Sequence, residues 1–260
     1  MTRAPWFHVL MIGLCCACGG ETAGEQIALR WQLAAGDEAS RDFVTDTGWH
    51  VTLDEARVSI ESVLLIAPAS DSRGALASVL QWLVPVAHAH GEHDAADGQR
   101  VRAELLDPIV IDAAAERPRT LGTIPAEAGD VAAFKLMIAR TTDDTPDELH
   151  GHAAAYVRGR AERDDVRVSF SGGVTLADSE PARRVERRIQ FRLSELGTLT
   201  LGVQPSEWFR EAEFARIATD DAEAEVAIDP ASQVGRAWAI GLRSPEAFDL
   251  TWTAKQRTER

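Results

Sequence analysis

Apolar and polar residues alternate along much of this chain, and the alternation sets the first expectations. Residues 27–33 put Ile27, Leu29, Trp31 and Leu33 on one face and polar or small residues on the other. A period of two over seven residues predicts a half-buried strand. Residues 51–53 and 57–66 are rich in β-branched and aliphatic side chains, with Asp54-Glu55-Ala56 between them read as a turn or bulge and Pro68 as the end. Residues 36–46 read as a polar loop. Short strands are expected at 101–106 and 109–112, and residues 131–140, with Phe134, Leu136 and Ile138 in alternation, give the clearest central strand. Residues 153–157 and 166–170 form a hairpin about Arg163-Asp164-Asp165.

Further along, Val185, Ile189, Phe191 and Leu193 share one face, while Arg184, Glu186, Arg188, Gln190 and Arg192 share the other. This is the pattern of a half-solvated antiparallel strand. Residues 199–203 return after Gly197, and Pro205 ends them. The stretch from Ser206 to Ile217 fits a short amphipathic helix, Ser244-Pro245-Glu246 starts another, and residues 248–252 form a final strand. Many short strands punctuated by Gly and Pro predict an all-β chain, an antiparallel β-sandwich with one or two short helices. It would occupy residues 27–254 as one domain, with a split into two sub-domains near Pro181 as the alternative.

The N-terminus departs from this pattern. Met1-Thr2-Arg3, an apolar run from Trp6 to Leu14 and a group of small residues have the layout of a signal peptide over residues 1–18. All three cysteines, Cys15, Cys16 and Cys18, fall there. Leu14-Cys15-Cys16-Ala17-Cys18-Gly19-Gly20 resembles a bacterial lipobox, with Ala17 before the cysteine and two glycines after it. Cys18 is the expected lipidation site, residues 19–26 a tether, and the location the cell envelope, on the periplasmic or outer-membrane face. The alternative is an ordinary secretory signal cut nearby. The body that remains holds no cysteine, so its stability must come from burial and hydrogen bonding rather than disulfides.

Composition narrows the partners. The net charge of −14 argues against nucleic acid, which requires clustered Lys and Arg. It favours a cation or a basic partner, or serves solubility alone. No GxSxG, HExxH or Walker A pattern occurs, so no enzyme is expected. Arg183-Arg184 and Arg187-Arg188 form a local basic patch, read as a solvated strand face.

The candidate chemistry lies in two histidine groups. His88, His90 and His93 fall within Ala87-His88-Ala89-His90-Gly91-Glu92-His93-Asp94, and His150-Gly151-His152 follows about sixty residues later. Imidazole is a common ligand for zinc and copper, and residues two apart on a strand share a face. The two groups together could supply the four ligands of a tetrahedral site, with Glu92, Asp94 and Asp97 as ligands or orienting partners. The competing reading is a solvated polar loop whose histidines bind metal only adventitiously. Residues 75–87 are apolar but contain Pro85, so they form either a helical turn or two, or an extended arm leading to the histidines. His50, beside Trp49, reads as a core-edge histidine with a hydrogen bond rather than as a ligand. The tryptophans after the signal are expected in the core or at its rim.

Residues 27–33, residues 58–66 and Leu121-Gly122-Thr123-Ile124-Pro125 leading into residues 134–138 resemble, in this order, an alternating first strand, an "xVSxVxLI"-like strand and an "LGxxPAG"-like turn of the MbnP-like periplasmic proteins linked to copper handling. The resemblance covers about half of the chain. It implies a β-sandwich that binds copper, in some members through histidine and an oxidised tryptophan. It assigns those ligands to no particular position here, and His88 to His93 belong to none of its motifs. Together these readings give a lipid-anchored envelope protein that captures or delivers copper or zinc, with an envelope metal-handling partner. The alternative is a structural or interaction lipoprotein without specific metal binding.

Overall fold

The computed structural model describes residues 25–36, 41–69, 99–139, 149–151, 154–194, 197–219 and 224–254. The signal peptide with Cys18, residues 88–97 and His152 therefore lie outside the described residues.

The chain is a mostly-β sandwich organised around one long strand. In order, the strands are β1 (Gln26–Leu33), β2 (Asp42–Val44), β3 (His50–Ile66), β4 (Val101–Leu105), β5 (Ile109–Asp112), β6 (Arg119–Glu127), β7 (Gly129–Ile138), β8 (Ala155–Arg163) and β9 (Val166–Val174). Then come helix α1 (Glu180–Arg183), β10 (Arg184–Leu193), β11 (Gly197–Val203), α2 (Pro205–Trp208), β12 (Glu225–Ala227), α3 (Gln233–Gly241) and β13 (Phe248–Ala254). Along one side of β3 lie β8 and then β7; along the other lie β2, β5 and β4. The sheet runs outward through β8, β9 and β12 in one direction and through β4, β6, β1, β11 and β13 in the other, while β10 adds to β7.

The sequence explains why a single strand can serve both layers. Its buried side chains run Val51 and Leu53, then Ala56, Val58 and Ile60, then Val63 and Leu65. The alternation changes phase twice, at Asp54-Glu55 and at Glu61-Ser62. At each point the ladder slips register, between Leu53 and Glu55 against β8 and between Ile60 and Ser62 against β7. One extra residue keeps each apolar set facing the core and increases the local twist. The turn or bulge expected at 54–56 is thus a bulge inside a continuous strand.

Other expectations need correction. The ladder is antiparallel except for β1 beside β11 and β9 beside β12, which are parallel. Residues 121–125 are not a turn but part of β6, paired along its length with β1. A short strand, β2, lies in the stretch read as loop. The helix expected from Ser206 to Ile217 is broken into α2 and a 3-10 turn at Phe214–Arg216, because Phe209, Ala212 and Phe214 must all point into the core. The helix start at Ser244 makes only a 3-10 turn, Pro245–Ala247, with Ser244 accepting from the Glu246 amide. The regular helix is α3, capped by Ser232, whose hydroxyl accepts from the Gly235 amide at 3.0 Å.

These C-terminal segments close one end of the sandwich with aromatic side chains. Phe214 packs edge-on to Trp49 at 5.7 Å and lies 5.0 Å from Phe170, and Phe209 lies 5.6 Å from Trp238. Trp31, Trp49, Trp208 and Trp238 are fully buried, as expected of the core. A polar clasp fixes this end. Arg163 donates to both carboxylate oxygens of Glu213, at 2.9 and 3.0 Å, and to the Thr47 carbonyl at 2.8 Å. Its guanidinium lies 4.5 Å from the centre of the Trp49 ring. With those hydrogen bonds as the main cause, the Glu213 carboxyl is held below its ordinary pKa of 4.5.

The arginines expected on a solvated face divide in two. Arg184 and Arg188 are exposed, but Arg187 is half-buried and donates to the Phe248 carbonyl, and Arg183 is buried, donating to Glu61 at 2.6 Å and to the Ile138 carbonyl at 2.8 Å. It sits in α1, one residue before the strand begins, so the strand alternation does not govern it.

Candidate functional site

Of the five histidines expected to bind metal, His150 is the one the structure places. It follows Leu149, which is fully buried in the core. His150 then takes a left-handed backbone with φ of 51°, and Gly151 continues with φ of 80°. Glycine enters this region freely, whereas a histidine there is strained by about 1–2 kcal/mol. The turn swings the imidazole back over β8, where it lies against the ring of Tyr156 with centroids 4.2 Å apart.

The imidazole Nε2 ends 3.5 Å from Glu55 Oε2. Glu55 reaches it because of the first bulge in β3: Asp54 is the extra residue, and Glu55 pairs with Arg158 across the ladder. Glycine at 159 permits that close register, since a Cβ there would sit 2.4 Å from the Thr52 carbonyl oxygen. Arg158 Nη2 contacts Glu55 Oε1 at 2.6 Å, and Arg57 Nη1 lies 3.6 Å from Oε2. Arg57 also reaches toward Asp112, at 3.8 Å. One largely buried carboxylate is thus surrounded by an imidazole and two guanidiniums, at the rim of the sandwich.

Chemically, His150 and Glu55 offer one nitrogen and one oxygen donor on a common side. Two ligands of one ion, each about 2 Å from it, stand roughly 3 Å apart, so the observed separation suits a shared metal. Two donors do not complete a tetrahedral site. Among the described residues no group of three or more His, Cys, Asp or Glu side chains is placed to hold a metal ion. His152, His88, His90 and His93, with Glu92, Asp94 and Asp97, lie outside the described residues, and so does the expected approach of the two histidine groups.

His50 is separate from this cluster. Its Nε2 lies 2.6 Å from Asp42 Oδ1 across the β2–β3 pair, both half-exposed, in keeping with its reading as a hydrogen-bonded histidine. Among the described residues no helix is long and apolar enough to cross a membrane.

Glu55, Tyr156 and Arg158 were not among the expected site residues. The sequence carried a signal for Glu55, because the alternation of β3 loses its phase at Asp54-Glu55, and bulges often redirect side chains near functional sites. Nothing local marks Tyr156 or Arg158, which depend on the β3–β8 register.

No family model matches the chain, and no curated protein matches it. Among solved structures it is similar to MbnP from Methylosinus trichosporium, at 11% identity and a TM-score of 0.40, over 88% of this chain and 99% of that one. The relationship is weak and does not transfer a site.

Proposed function

We propose that the protein is a non-catalytic, lipid-anchored component of the bacterial cell envelope that binds copper or zinc for capture or delivery. The observation that carries this reading is the approach of His150 Nε2 to Glu55 Oε2, a nitrogen and an oxygen donor held together at the rim by a strained turn and a bulge. Local strain of this kind persists where surrounding structure enforces it, and it clusters at functional sites. In this reading Glu55 joins His150, and the remaining ligands come from His152 and from His88, His90 and His93. Cys18 carries the lipid, and an envelope metal-handling protein is the partner.

The second reading is an interaction lipoprotein whose histidines are incidental. It is favoured by the 2.6 Å contact of Arg158 with Glu55, which already neutralises the carboxylate without any metal.

Calorimetric titration of the protein lacking residues 1–17 with Cu(II) and with Zn(II) separates the two. The metal reading expects about one ion bound per chain, and a loss of at least about tenfold in affinity for His150→Ala with Glu55→Gln. A second variant, with His88, His90 and His93 all changed to Ala, tests the loop independently. Unchanged affinity in both variants leaves the interaction reading.

A further inference from the structure

The outer face of the β11–β13 pair carries a small polar cleft that shares no residue with the His150–Glu55 pair. Its origin lies in the strand pattern. Alternation puts Thr200, Gly202 and, just past the strand end, Gln204 on one face of β11, while Leu201 and Val203 are buried on the other. The ladder sets Thr200 opposite Thr251 and Gly202 opposite Asp249 of β13. On the other side of β11 the chain beyond β1 continues the pairing, with the Ala34 amide donating to the Leu201 carbonyl at 2.9 Å. A Cβ built on Gly202 would meet the Ala34 methyl first, at 3.6 Å. The row from Ala34 through Gly202 is therefore short of side-chain atoms, and the missing atoms leave a cleft of about 110 Å³.

Tight packing closes one end of this cleft. The Gly36 amide donates to the Ala115 carbonyl at 2.7 Å, and only glycine fits there, since a Cβ would lie 2.1 Å from the Ala113 carbonyl oxygen. The contact holds Ala113, just beyond β5, against the cleft as an apolar wall.

The polar lining comes from Thr200, Thr251, Gln204 and Asp249. The side chains of Thr200, Thr251 and Gln204 have no hydrogen-bond partner among the described residues. Asp249 supplies the charge. Arg187 Nη1 stands 3.7 Å from its Oδ1, beyond hydrogen-bond reach, and that nitrogen donates to the Phe248 carbonyl instead. The cleft thus gathers a carboxylate, an amide carbonyl and hydroxyls as acceptors. A primary ammonium carries three donors and no acceptor, which is the complement of that set. A hard metal ion would want six or more oxygens, with more than one carboxylate among them, and the cleft offers one carboxylate.

We propose that this cleft binds a small primary alkylammonium ion. The ammonium donates to the Asp249 carboxylate, to the Gln204 carbonyl oxygen and to a threonine hydroxyl. The short alkyl chain lies over Gly202, between Ala34 and Ala113. The space equals the liquid volume of about four water molecules, which suits an ion the size of propylammonium. The net charge of −14 raises the local concentration of such a cation. The inference is independent of metal binding.

The test titrates the 15N-labelled protein lacking residues 1–17, in EDTA at neutral pH, with propylammonium chloride. Amide shifts should saturate and centre on Gly202, Asp249 and Thr251. Tetramethylammonium has the same charge but no N–H donor, and it should leave these amides unmoved. Asp249→Asn should weaken binding by at least about tenfold, the loss of a charge-assisted hydrogen bond. Gly202→Ala is the second variant. Its methyl makes only ordinary contacts, at 3.6 Å and beyond, so the fold stands while the floor of the cleft is filled and binding is lost. A blocked lysine, Nα-acetyl-lysine amide, presents the same chemistry on a polypeptide side chain. Saturation by both ions extends the site to lysine ends, and saturation by propylammonium alone assigns it to free amines. Failure of propylammonium to saturate, equal shifts with tetramethylammonium, or unchanged affinity in Asp249→Asn or Gly202→Ala overturns the proposal.

Discussion

Trp49 and Glu213 lie 164 residues apart in the chain and are joined by a 2.8 Å hydrogen bond from the indole Nε1 to the carboxylate Oε1. Arg163 grips the same carboxylate and covers the Trp49 ring. Three distant segments therefore share one small polar joint at the end of the sandwich. Glu213→Gln should cost about 2 kcal/mol at neutral pH, the scale of hydrogen bonds to a charged group. Urea denaturation of both proteins measures it.

The same joint has a pH signature. The folded protein holds the Glu213 carboxyl below 4.5, so the unfolded chain takes up its proton first as pH falls. The stabilisation is complete above about pH 4.5 and is lost as pH drops through the lower folded value. The stability gap between the native protein and Glu213→Gln should therefore narrow as pH falls below the ordinary value of 4.5, and close once pH has passed below the lowered folded value. A constant gap would remove Glu213 from the account of acid stability.

His150 should reveal its strained backbone when two truncations are compared. His150→Gly and His150→Ala both remove the imidazole, but only glycine relieves the left-handed conformation. The Gly variant should be the more stable by about 1 kcal/mol, measured by thermal denaturation. Equal stability would mean that the turn relaxes without cost.

Arg158 competes with any metal for Glu55. Arg158→Gln removes the shorter of the two guanidinium contacts on Glu55, leaving Arg57, and should raise the affinity for Zn(II) severalfold, whereas Glu55→Gln should lower it. Titration calorimetry on the two variants, side by side, gives the signs. The same direction in both would rule out Glu55 as a ligand.

Gly159→Ala tests how the bulge is seated. The new methyl would meet the Thr52 carbonyl, and a backbone atom cannot step aside as a flexible side chain does. A loss of about 1–3 kcal/mol in unfolding free energy is expected. Weaker metal binding should accompany it, because the β3–β8 register sets the position of Glu55.

The sandwich was legible because burial on one face leaves a period of two, and β1, β7, β8, β9 and β10 follow that rule closely. The helical end was less legible. Residues 206–217 carry enough apolar side chains for a helix, but tertiary packing of Phe209 and Phe214 against Phe170 outweighs that local pattern. Parallel neighbours such as β1 and β11 leave no local trace, since nothing in residues 26–33 names a partner near residue 200. The site was legible only in part. Histidine spacing singled out His150 as a candidate, while its contacts with Glu55 and Tyr156 arise from a bulge and a turn whose effects depend on strands paired at long range.

β1 lies between β6 on one side and β11 on the other, with Trp31 opposite Leu199. A chain made or threaded from its N-terminus therefore presents this strand early and completes its pairing late, after most of the sequence has appeared. Until then one edge of a strand bearing Leu29 and Trp31 has no mate. Long-range closure of this kind is slow, commonly milliseconds to seconds. The interval is a window in which a holding factor, or a neighbouring copy, has access to the edge before the chain's own β11 covers it.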